Sequence, residues 1–290
     1  KDKNVHIKSK TFYRFYQKKC NTASFFNFVL DRLLMVSVIL STYNQPGSLQ
    51  LVLWGYETQT YKNFELLVAN DGSGSETSDV VEQMQKKVSY PLIHVFHEDK
   101  GFRKCTILNK ALARSRGRYL VFSDGDIIPR SDFLEMHIRM REEGRFLSGG
   151  TVRLPEGFLG KINKQEIEEG VCFNRKWLEG NGLKKSYKNG KLSVCGWQAR
   201  LMNSITPAKA TWNGGNASGW RKDLVATGGF DERLQYGGED RELGERLERM
   251  GIRGKQVRYT AITLHLDHPR NYVSVAGLQY NRRIRKENKR

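Results

Sequence analysis

Two aspartates, Asp124 and Asp126, directly follow a run of apolar residues at 119–122. Such a run is typical of a buried strand in a parallel sheet, and open α/β sheets bind their ligands at the carboxyl ends of their strands. Two carboxylates one residue apart can bind a divalent cation and a polar group of a nucleotide. An isolated Asp-x-Asp more often indicates an ordinary polar turn. The prediction of a cation and nucleotide site therefore depends on the position of the pair after a strand.

Strands and helices alternate on the N-terminal side of this pair. The apolar patterns predict strands at 36–40, 66–70, 91–96 and 119–122, and helices at 49–56, 76–87 and 104–116. This order implies parallel pairing with right-handed crossovers. The predicted fold class is therefore α/β, with a mostly parallel sheet flanked by helices. Polar residues in three loops should meet at one edge of that sheet: Thr42 and Asn44, Asp71, and the two aspartates.

Known nucleotide motifs are missing from these loops. The chain has no Gly-x-Gly-x-x-Gly after its first strand and no P-loop lysine, which argues against dinucleotide and P-loop binding. The four cysteines, at positions 20, 105, 172 and 195, lack Cys-x-x-Cys spacing. Their scattered positions disfavour a zinc site and a disulfide framework, and they favour a reducing, cytoplasmic location. No run approaches the roughly 18 apolar residues that span a bilayer, so we expect a soluble or surface-bound protein.

Positive charge concentrates at the two ends and in one internal segment. The formal net charge is +18. Residues 1–34 carry +6, residues 153–200 carry +5 and residues 269–290 carry +6, which leaves +1 for the rest of the chain. This distribution favours an anionic surface, such as the inner face of the cytoplasmic membrane, or anionic substrates as the partner, and no nucleic acid is predicted. Solvated basic tails are an equally good interpretation.

Four motifs follow the predicted strands in order. They are Val-Ile-Leu-Ser-Thr-Tyr-Asn at 38–44, Asn-Asp-Gly-Ser at 70–73, Glu-Asp-Lys-Gly-Phe-Arg at 98–103 and Phe-Ser-Asp-Gly-Asp at 122–126. Together they resemble the nucleotide-sugar half of family 2 glycosyltransferases, which have the GT-A fold. The resemblance implies that three residues line the uracil pocket of a UDP-sugar site: Thr42, Tyr43 and Asn44. It further implies that Asp71 accepts a hydrogen bond from the base, Asp124 contacts the ribose and Asp126 holds the metal.

One position departs from the family pattern. Many members have Arg before the Asn of the helix that precedes the Asp-x-Asp strand, whereas this chain has Leu108 before Asn109. Two basic residues at the start of that helix, Arg103 and Lys104, are the candidates to contact the nucleotide instead.

A second block, rich in glycine and aromatic residues, lies downstream. It contains Trp-Asn-Gly-Gly at 212–215 and Tyr-Gly-Gly-Glu-Asp at 236–240. An isolated Glu-Asp pair in a first helical turn is usually no more than a favourable partner of the helix dipole. Here the block resembles the C-terminal region of β-1,4-galactosyltransferases, which is also found in chondroitin polymerases. The resemblance implies that Asp240 deprotonates the acceptor hydroxyl, and that five residues form the acceptor side: Trp212, Gly214, Gly215, Tyr236 and Glu239.

Two histidines follow a strand-like segment at 256–262. His265 matches a late metal-ligand histidine of the family, and the resemblance implies that it binds the cation beside Asp126. Lone histidines are usually structural, and His268 before a proline is interpreted that way. Imidazole together with carboxylate suits Mn²⁺, with Mg²⁺ as the alternative.

The composition divides the chain into five segments. Residues 1–34 are a basic, aromatic appendage, either an interfacial helix or a segment outside the folded domain. Residues 35–152 form the nucleotide-sugar half, 153–200 an insertion or mobile region, 201–268 the acceptor half, and 269–290 a basic helix or frayed tail. The aromatic residues of the insertion are expected to fasten it to the core rather than to stack on sugars.

The resemblance implies an inverting, metal-dependent glycosyltransferase. It would move a hexose or N-acetylhexosamine from a UDP-sugar to a hydroxyl of a glycan or lipid-linked saccharide, in synthesis of bacterial lipopolysaccharide or capsule. Two alternatives from other classes stay open at this point. A nucleotidyltransferase of similar α/β architecture would also use acids and a metal, but it typically has a Gly-rich basic loop near its N-terminus, and this chain lacks one. A non-catalytic protein that binds anionic surfaces would use the basic ends.

Overall fold

The computed structural model describes residues 34–268 and 274–288, and the fold below belongs to the unit Met35–Arg290. The predicted N-terminal appendage, apart from its last residue, lies outside the described residues.

A seven-stranded sheet forms the centre of the described chain. Its strands are β1 (Val36–Thr42), β2 (Phe64–Asn70), β3 (Leu92–Phe96), β4 (Tyr119–Asp124), β6 (Arg145–Ser148), β8 (Asn216–Trp220) and β9 (Arg253–Gln256). They lie in the order β3-β2-β1-β4-β8-β6-β9. All pairings are parallel except those that β8 makes with β4 and β6. The predicted α/β class with a mostly parallel sheet is therefore confirmed.

A second sheet of three strands carries the late histidines. Strand β10 (Ile262–His265) lies between β5 (Ile127–Pro129) and β7 (Gly150–Arg153). It runs antiparallel to β5 and parallel to β7. The register aligns His265 with Ile127, the residue after Asp126. This pairing brings together two parts of the chain that are far apart in sequence.

Ten α-helices within the described residues connect or cover these sheets. They are α1 (Pro46–Glu57), α2 (Ser75–Gln85), α3 (Lys104–Arg114), α4 (Phe133–Met140), α5 (Lys164–Glu168), α6 (Arg175–Gly180), α7 (Gly196–Ile205), α8 (Arg221–Ala226), α9 (Glu239–Arg249) and α10 (Val275–Glu287). The first three make the crossovers between parallel strands. All seven residues of β1 are buried between these layers, as its continuous apolar sequence predicts.

Two predicted strands are wrong at their boundaries. The apolar pattern at 146–152 predicts one strand, but the chain leaves the main sheet after β6 and enters the small sheet at β7. A Cβ atom on Gly149, between them, would lie 1.9 Å from Oδ1 of Asn216, so only glycine fits this crossing. The segment 256–262 is likewise not one strand. A turn in which the Val257 carbonyl accepts from the Thr260 amide separates β9 from β10.

Aromatic contacts fix the C-terminal third against the main sheet. The ring centroid of Phe122 on β4 lies 5.4 Å from that of Trp212 and 5.6 Å from that of Phe230. Leu243 of α9 and Ile284 of α10 belong to the same buried cluster. Fully burying one such side chain contributes about 1.5–3 kcal/mol. The first turn of α9 is thereby held in place relative to β4.

The segment 153–200 contains short helices, of which α5 packs on α1. The Lys164 ammonium lies 4.4 Å from the centroid of the Trp54 ring, and Phe158 is buried. Trp197, by contrast, is 71% exposed, so this aromatic residue does not fasten the segment to the core as expected. Within 34–268 and 274–288, no helix combines the length and the apolar character needed to cross a membrane.

Candidate active site

A cavity of about 820 Å³ lies at the carboxyl ends of β1, β2 and β4. Of the fifteen residues that the sequence predicts for the site, eleven lie in its wall. They are Thr42, Tyr43, Asp71, Lys104, Asp124, Asp126, Trp212, Tyr236, Glu239, Asp240 and His265. The edge of the sheet therefore brings together most of the predicted residues, from both halves of the chain.

One end of the cavity is formed by the loops after β1 and β2. Oδ1 of Asp71 lies 2.7 Å from Nε2 of His97, and its Oδ2 accepts a hydrogen bond from the Arg103 amide at 3.0 Å. Burial raises the pKa of the Asp71 carboxyl, although these two contacts act in the opposite direction. The Tyr43 hydroxyl, which is partly exposed, donates to Oδ2 of Asp99 at 3.0 Å. This end offers an acceptor and an aromatic ring to a polar, planar ligand.

Two predicted residues of this end are not in the cavity wall. Asn44 has a φ of 50°, in the left-handed region, where Asn is among the tolerated residues. The backbone amide of Asn44 donates to Oγ of Ser73, and its side-chain Oδ1 accepts from the backbone amide of Gly74, both at 2.9 Å. Arg103 contributes its backbone amide to Asp71 and precedes the first turn of α3. Both residues shape the loops behind the wall instead of facing the cavity.

Lys104 and Asp124 form an ion pair in the wall. The Lys104 ammonium donates to Oδ1 of Asp124 at 2.9 Å, and the Ser41 hydroxyl donates to the same oxygen. Burial alone would raise the pKa of Asp124, but the charge of Lys104 and these hydrogen bonds outweigh it and lower that pKa. The pKa of Lys104 is raised because nearby carboxylates, above all Asp124 and then Asp240, outweigh its burial. The pair is therefore ionised at neutral pH.

Asp126, His265 and His268 could hold a metal ion, with one ligand atom from each and all three atoms within 4.8 Å of one another. Nε2 of His268 lies 2.8 Å from Oδ2 of Asp126, and Nε2 of His265 lies 3.5 Å from it. Oδ1 of Asp126 is buried and has no hydrogen-bond partner among the described residues. Burying an unpaired carboxylate oxygen is unfavourable, and a bound cation would remove this cost. Two imidazoles and one carboxylate suit Mn²⁺, so the residues fit the predicted cofactor.

His268 is the member of this group that the sequence analysis assigned to a structural role. Its side chain reaches Asp126 because β10 pairs with β5, and a sequence pattern does not reveal that pairing. The available signal was the spacing His-x-x-His, which can place both rings near one ion when a strand ends at the first histidine.

Asp240 lies in the first turn of α9, after two glycines with positive φ, Gly237 and Gly238. Burial raises the pKa of the Asp240 carboxyl to about 7. The positive charge of Lys104 opposes this rise, whereas the carboxylates of Glu239 and Asp124 add to it. Oδ1 of Asp240 is buried and has no hydrogen-bond partner among the described residues. A carboxyl that titrates near neutral pH and faces a cavity is suited to accept a proton.

Gly214 and Gly215 stand behind the wall and allow its carboxylates to approach closely. A Cβ atom on Gly214 would lie 2.5 Å from Oδ1 of Asp240. A Cβ atom on Gly215 would lie 2.9 Å from Oδ2 of Asp124. Any other residue at either position would therefore displace an acidic side chain of the site.

The other three predicted acceptor-side residues lie in the cavity wall, and each makes different contacts. Trp212 is buried in the core, with its indole nitrogen lacking a hydrogen-bond partner among the described residues. Tyr236 makes an edge-on contact with Phe102, with ring centroids 6.0 Å apart. Oε2 of Glu239, which is buried, accepts from the Gly237 amide at 2.8 Å. Glu239 therefore fixes the glycine turn that precedes α9.

Asn281, on α10, is a residue beside the site that no sequence motif indicated. Its buried side-chain amide donates to the carbonyls of Gln235, Tyr236 and Gly237 at 2.7–3.2 Å and accepts from the Gln235 amide at 3.0 Å. One side chain thus fixes the backbone on the N-terminal side of Asp240. In the sequence, Asn281 and Ile284 are the two uncharged residues of the segment 281–286, and this spacing of three is an indication of a buried helix face.

Two family models match adjacent parts of the chain. Residues 37–204 match the model of glycosyl transferase family 2, which is more than half of the chain. The chain belongs to glycosyl transferase family 2. Residues 204–269 match a model described as the N-terminal domain of galactosyltransferase, which confirms the predicted similarity of this region. Membership of the family favours a glycosyltransferase over the nucleotidyltransferase and the non-catalytic surface-binding protein.

Curated relatives of this family 2 protein include three bacterial enzymes. It is 28% identical to the uncharacterized glycosyltransferase YfnE of Bacillus subtilis, over 84% of this chain and 68% of that protein. It is 24% identical to chondroitin synthase of Escherichia coli, over 81% of this chain and 35% of the synthase. It is 26% identical to hyaluronan synthase of Pasteurella multocida, over 74% of this chain and 23% of the synthase. The chain thus spans about a third or less of the two synthases.

Solved structures of GT-A glycosyltransferases have the same fold as this family 2 protein. Mannosyltransferase PcManGT of Pyrobaculum calidifontis, in complex with GDP-Man and Mn²⁺, superposes with a TM-score of 0.55 at 20% identity, over 82% of this chain and 58% of that one. TarS residues 1–349 of S. aureus, in complex with UDP-GlcNAc, give a TM-score of 0.58 at 17% identity, over 88% of this chain and 66% of that one.

Proposed function

We propose that this glycosyltransferase moves a hexose or N-acetylhexosamine from a UDP-sugar to a hydroxyl of a saccharide acceptor, with inversion and with a bound divalent cation. One observation carries the proposal: a carboxyl that titrates near pH 7, that of Asp240, lines the same cavity as a group of metal-ligand side chains. A proton acceptor and a cation site in one cavity are what a single displacement of a nucleoside diphosphate needs.

The donor nucleotide would bind at the end formed by the loops after β1 and β2. Thr42 and Tyr43 would contact the base, and Asp71 would accept a hydrogen bond from it. Asp124, held by Lys104, would contact the ribose. Asn44 and Arg103 would act indirectly, through the loops that they shape. The structures of TarS with UDP-GlcNAc and with UDP support a uridine nucleotide.

Asp126, His265 and His268 would hold the cation, Mn²⁺ or alternatively Mg²⁺. When bound, the cation supplies positive charge that offsets the charge developing on the departing diphosphate. The Mn²⁺ in the complex of PcManGT, which has the same fold, supports a bound metal. The unpaired Oδ1 of Asp126 supports its position in this chain.

Asp240 would act as the base. Its carboxylate would take the proton from the acceptor hydroxyl while the hydroxyl oxygen forms a bond to the anomeric carbon. The bond from that carbon to the diphosphate breaks on the opposite face, so the anomeric configuration inverts and the nucleoside diphosphate leaves. Gly214 and Gly215 would let the carboxylates of Asp240 and Asp124 lie this close to the reacting atoms. Trp212, Tyr236 and Glu239 would shape the acceptor side.

The acceptor would be a glycan or lipid-linked saccharide of a bacterial surface polysaccharide, such as lipopolysaccharide or capsule. The two polysaccharide synthases among the relatives support this class of acceptor. Cys105, Cys172 and Cys195 are unpaired thiols, which supports a reducing, cytoplasmic location. The basic segments would allow the enzyme to attach to the inner face of the cytoplasmic membrane.

The test is release of the nucleoside diphosphate from a panel of UDP-, GDP- and dTDP-sugars, each with Mn²⁺ and with EDTA, and with and without saccharide acceptors. We expect turnover with one UDP-sugar, abolished by EDTA. Turnover that is unaffected by EDTA, or that occurs only with GDP- or dTDP-sugars, would contradict the proposal.

A further inference from the structure

The cavity wall holds five acidic residues and, besides Lys104, Lys209 and Arg241, two arginines that lie on or beside other strands. The acidic residues lie at three places. Asp71 follows β2, Asp124 and Asp126 lie at the end of β4, and Glu239 and Asp240 begin α9. Arg153 and Arg258 line the wall near the ends of β7 and β9. In the main sheet, β9 lies four strand positions from β1, which is about 19 Å at the usual strand spacing. Arg258 is therefore remote from the loops after β1 and β2, whereas Arg153 lies in register with His265 of β10.

Lys191 lies near Arg258, behind the cavity wall. Its ammonium donates to the Thr151 carbonyl at 3.0 Å, and Thr151 itself lies in the cavity wall. Burial lowers the pKa of Lys191 to about 8, and the positive charges of Arg258 and Lys188 add to this effect. We refer to Arg153, Lys191 and Arg258 as the basic wall. Lys191 and Arg258 lie close enough to repel one another.

The protein provides no carboxylate partner for the basic wall among residues 34–268 and 274–288. Nε of Arg258 donates to Oε1 of Gln256 at 3.2 Å, which is a neutral partner. None of the described ion pairs includes Arg153, Lys191 or Arg258. Elsewhere near the cavity, by contrast, Lys104 is paired with Asp124, and Lys209 lies 3.4 Å from Glu248. Repulsion between the partly buried Lys191 and Arg258 is relieved when an anion binds.

We infer that the basic wall binds a negatively charged group of the acceptor saccharide, a carboxylate or a phosphate. The inference rests on the proposed function, because it assigns the basic wall to the acceptor and not to the donor. The donor diphosphate would be held near Asp126, whereas Arg258 extends the cavity toward β9 and Arg153 borders His265. Arg153 and Arg258 each present a planar guanidinium, which matches the two oxygens of a carboxylate or phosphate. The acceptor class is therefore an anionic sugar.

The experiment uses matched pairs of probes on the protein saturated with UDP and Mg²⁺, so that the donor site is already filled. Methyl β-glucuronide is compared with methyl β-glucoside, and glucose 6-phosphate with glucose, by saturation-transfer NMR. Mg²⁺ avoids the line broadening that Mn²⁺ causes. Because hydrogen bonds to charged groups are worth about 1.5–3 kcal/mol, we expect at least one charged probe to bind about tenfold more tightly than its neutral partner.

Two variants locate the effect. Arg153→Gln and Arg258→Gln should each weaken binding of the charged probe about tenfold, with no change for the neutral probe and less than a twofold change in the Kd for UDP. Arg249→Gln is the matched control, since Arg249 is an exposed arginine at the end of α9. It should bind every probe as the wild type does.

Three results would overturn the assignment. The first is equal binding, or no binding, of the charged and neutral probes by the wild type. The second is a loss of UDP affinity in the two variants, which would assign the basic wall to the donor diphosphate. The third is a charge preference that both variants retain. A wild-type protein that binds no UDP with any metal would instead reject the proposed function itself, and that control is measured before the sugars are added.

Discussion

His268 approaches Asp126 more closely than His265 does: its Nε2 lies 2.8 Å from Oδ2 of Asp126, against 3.5 Å for Nε2 of His265. If both imidazoles hold the cation, removing either one should weaken metal binding. We expect His268→Ala to lower the affinity for Mn²⁺ at least about tenfold, the lower end of the effect of losing even an indirect metal contact. Electron paramagnetic resonance of free Mn²⁺ measures this affinity.

The control is His94→Ala, which removes a histidine of β3 that lies outside the cavity wall. Its Mn²⁺ affinity should match that of the wild type. Unchanged Mn²⁺ binding by His268→Ala would return His268 to a structural role.

The raised pKa of Asp240 predicts a pH-dependent effect on stability. The ordinary value of this carboxyl is 3.8, and burial raises it to about 7 in the folded protein. The folded state therefore holds the proton more tightly than the unfolded state, and stability falls as pH rises from about 4 to 7. In metal-free protein, Asp240→Asn should raise the free energy of unfolding at pH 8 by about 1–3 kcal/mol, and leave it unchanged at pH 4.

Urea unfolding of both proteins at the two pH values measures this difference. Asp79→Asn, which changes an exposed aspartate on α2, serves as the control, and its difference in stability from the wild type should be the same at pH 4 and at pH 8. If Asp240→Asn is instead less stable than the wild type at pH 8, the neighbours of the ionised carboxylate outweigh the cost of burying it, and the prediction is wrong.

Gly214 should tolerate no side chain without a loss of activity. The Cβ atom of Gly214→Ala would lie 2.5 Å from Oδ1 of Asp240 and would displace that carboxylate. A misplaced catalytic group can cost about a hundredfold in rate. We expect a loss in kcat of that order with UDP affinity retained. Gly160→Ala, where the added Cβ atom meets nothing within 4 Å, should have wild-type kcat. Equal kcat in both variants would contradict a requirement for close approach.

Asn281 should act as a positioning residue. Replacing it by Ala removes the donor from three backbone carbonyls and the acceptor from the Gln235 amide. Unsatisfied buried groups cost about 1–3 kcal/mol, so Asn281→Ala should lower the free energy of unfolding by that amount. Hydrogen exchange of the amides at 236–238 should accelerate, and kcat should fall more than UDP affinity.

Arg282→Ala, on the exposed side of the same helix, provides the comparison. It should leave stability, hydrogen exchange and kcat unchanged. If Asn281→Ala loses stability but keeps both slow exchange at 236–238 and full kcat, the side chain supports the helix and not the active site.

The sequence predicted the first half of the fold because two independent signals agree there. Buried parallel strands are continuous apolar runs, and the polar residues that follow them must meet at one edge. Asp71, Asp124 and Asp126 could be placed on that basis before any coordinates were known. Their common edge depends only on the direction of β1, β2 and β4, which the alternation with helices already determines.

The remainder depends on contacts between distant segments, which a local pattern does not contain. His268 reaches Asp126 only through the antiparallel pairing of β10 with β5. The break between β6 and β7 arises because Asn216 occupies the space beside Gly149. Asn281 belongs to a segment whose basic composition suggested a tail, yet its role follows from the buried face of α10. In each case the partner lies more than 40 residues away in the sequence.

The most direct test of the account compares the wild type with Asp240→Asn, once the UDP-sugar is known. We measure UDP binding with Mn²⁺ by calorimetry and sugar transfer by release of UDP. The account predicts that UDP affinity stays within about twofold while the transfer rate falls by about 10²–10⁴, the usual contribution of a general base. Transfer by Asp240→Asn at the wild-type rate would contradict the assignment of Asp240 as the base.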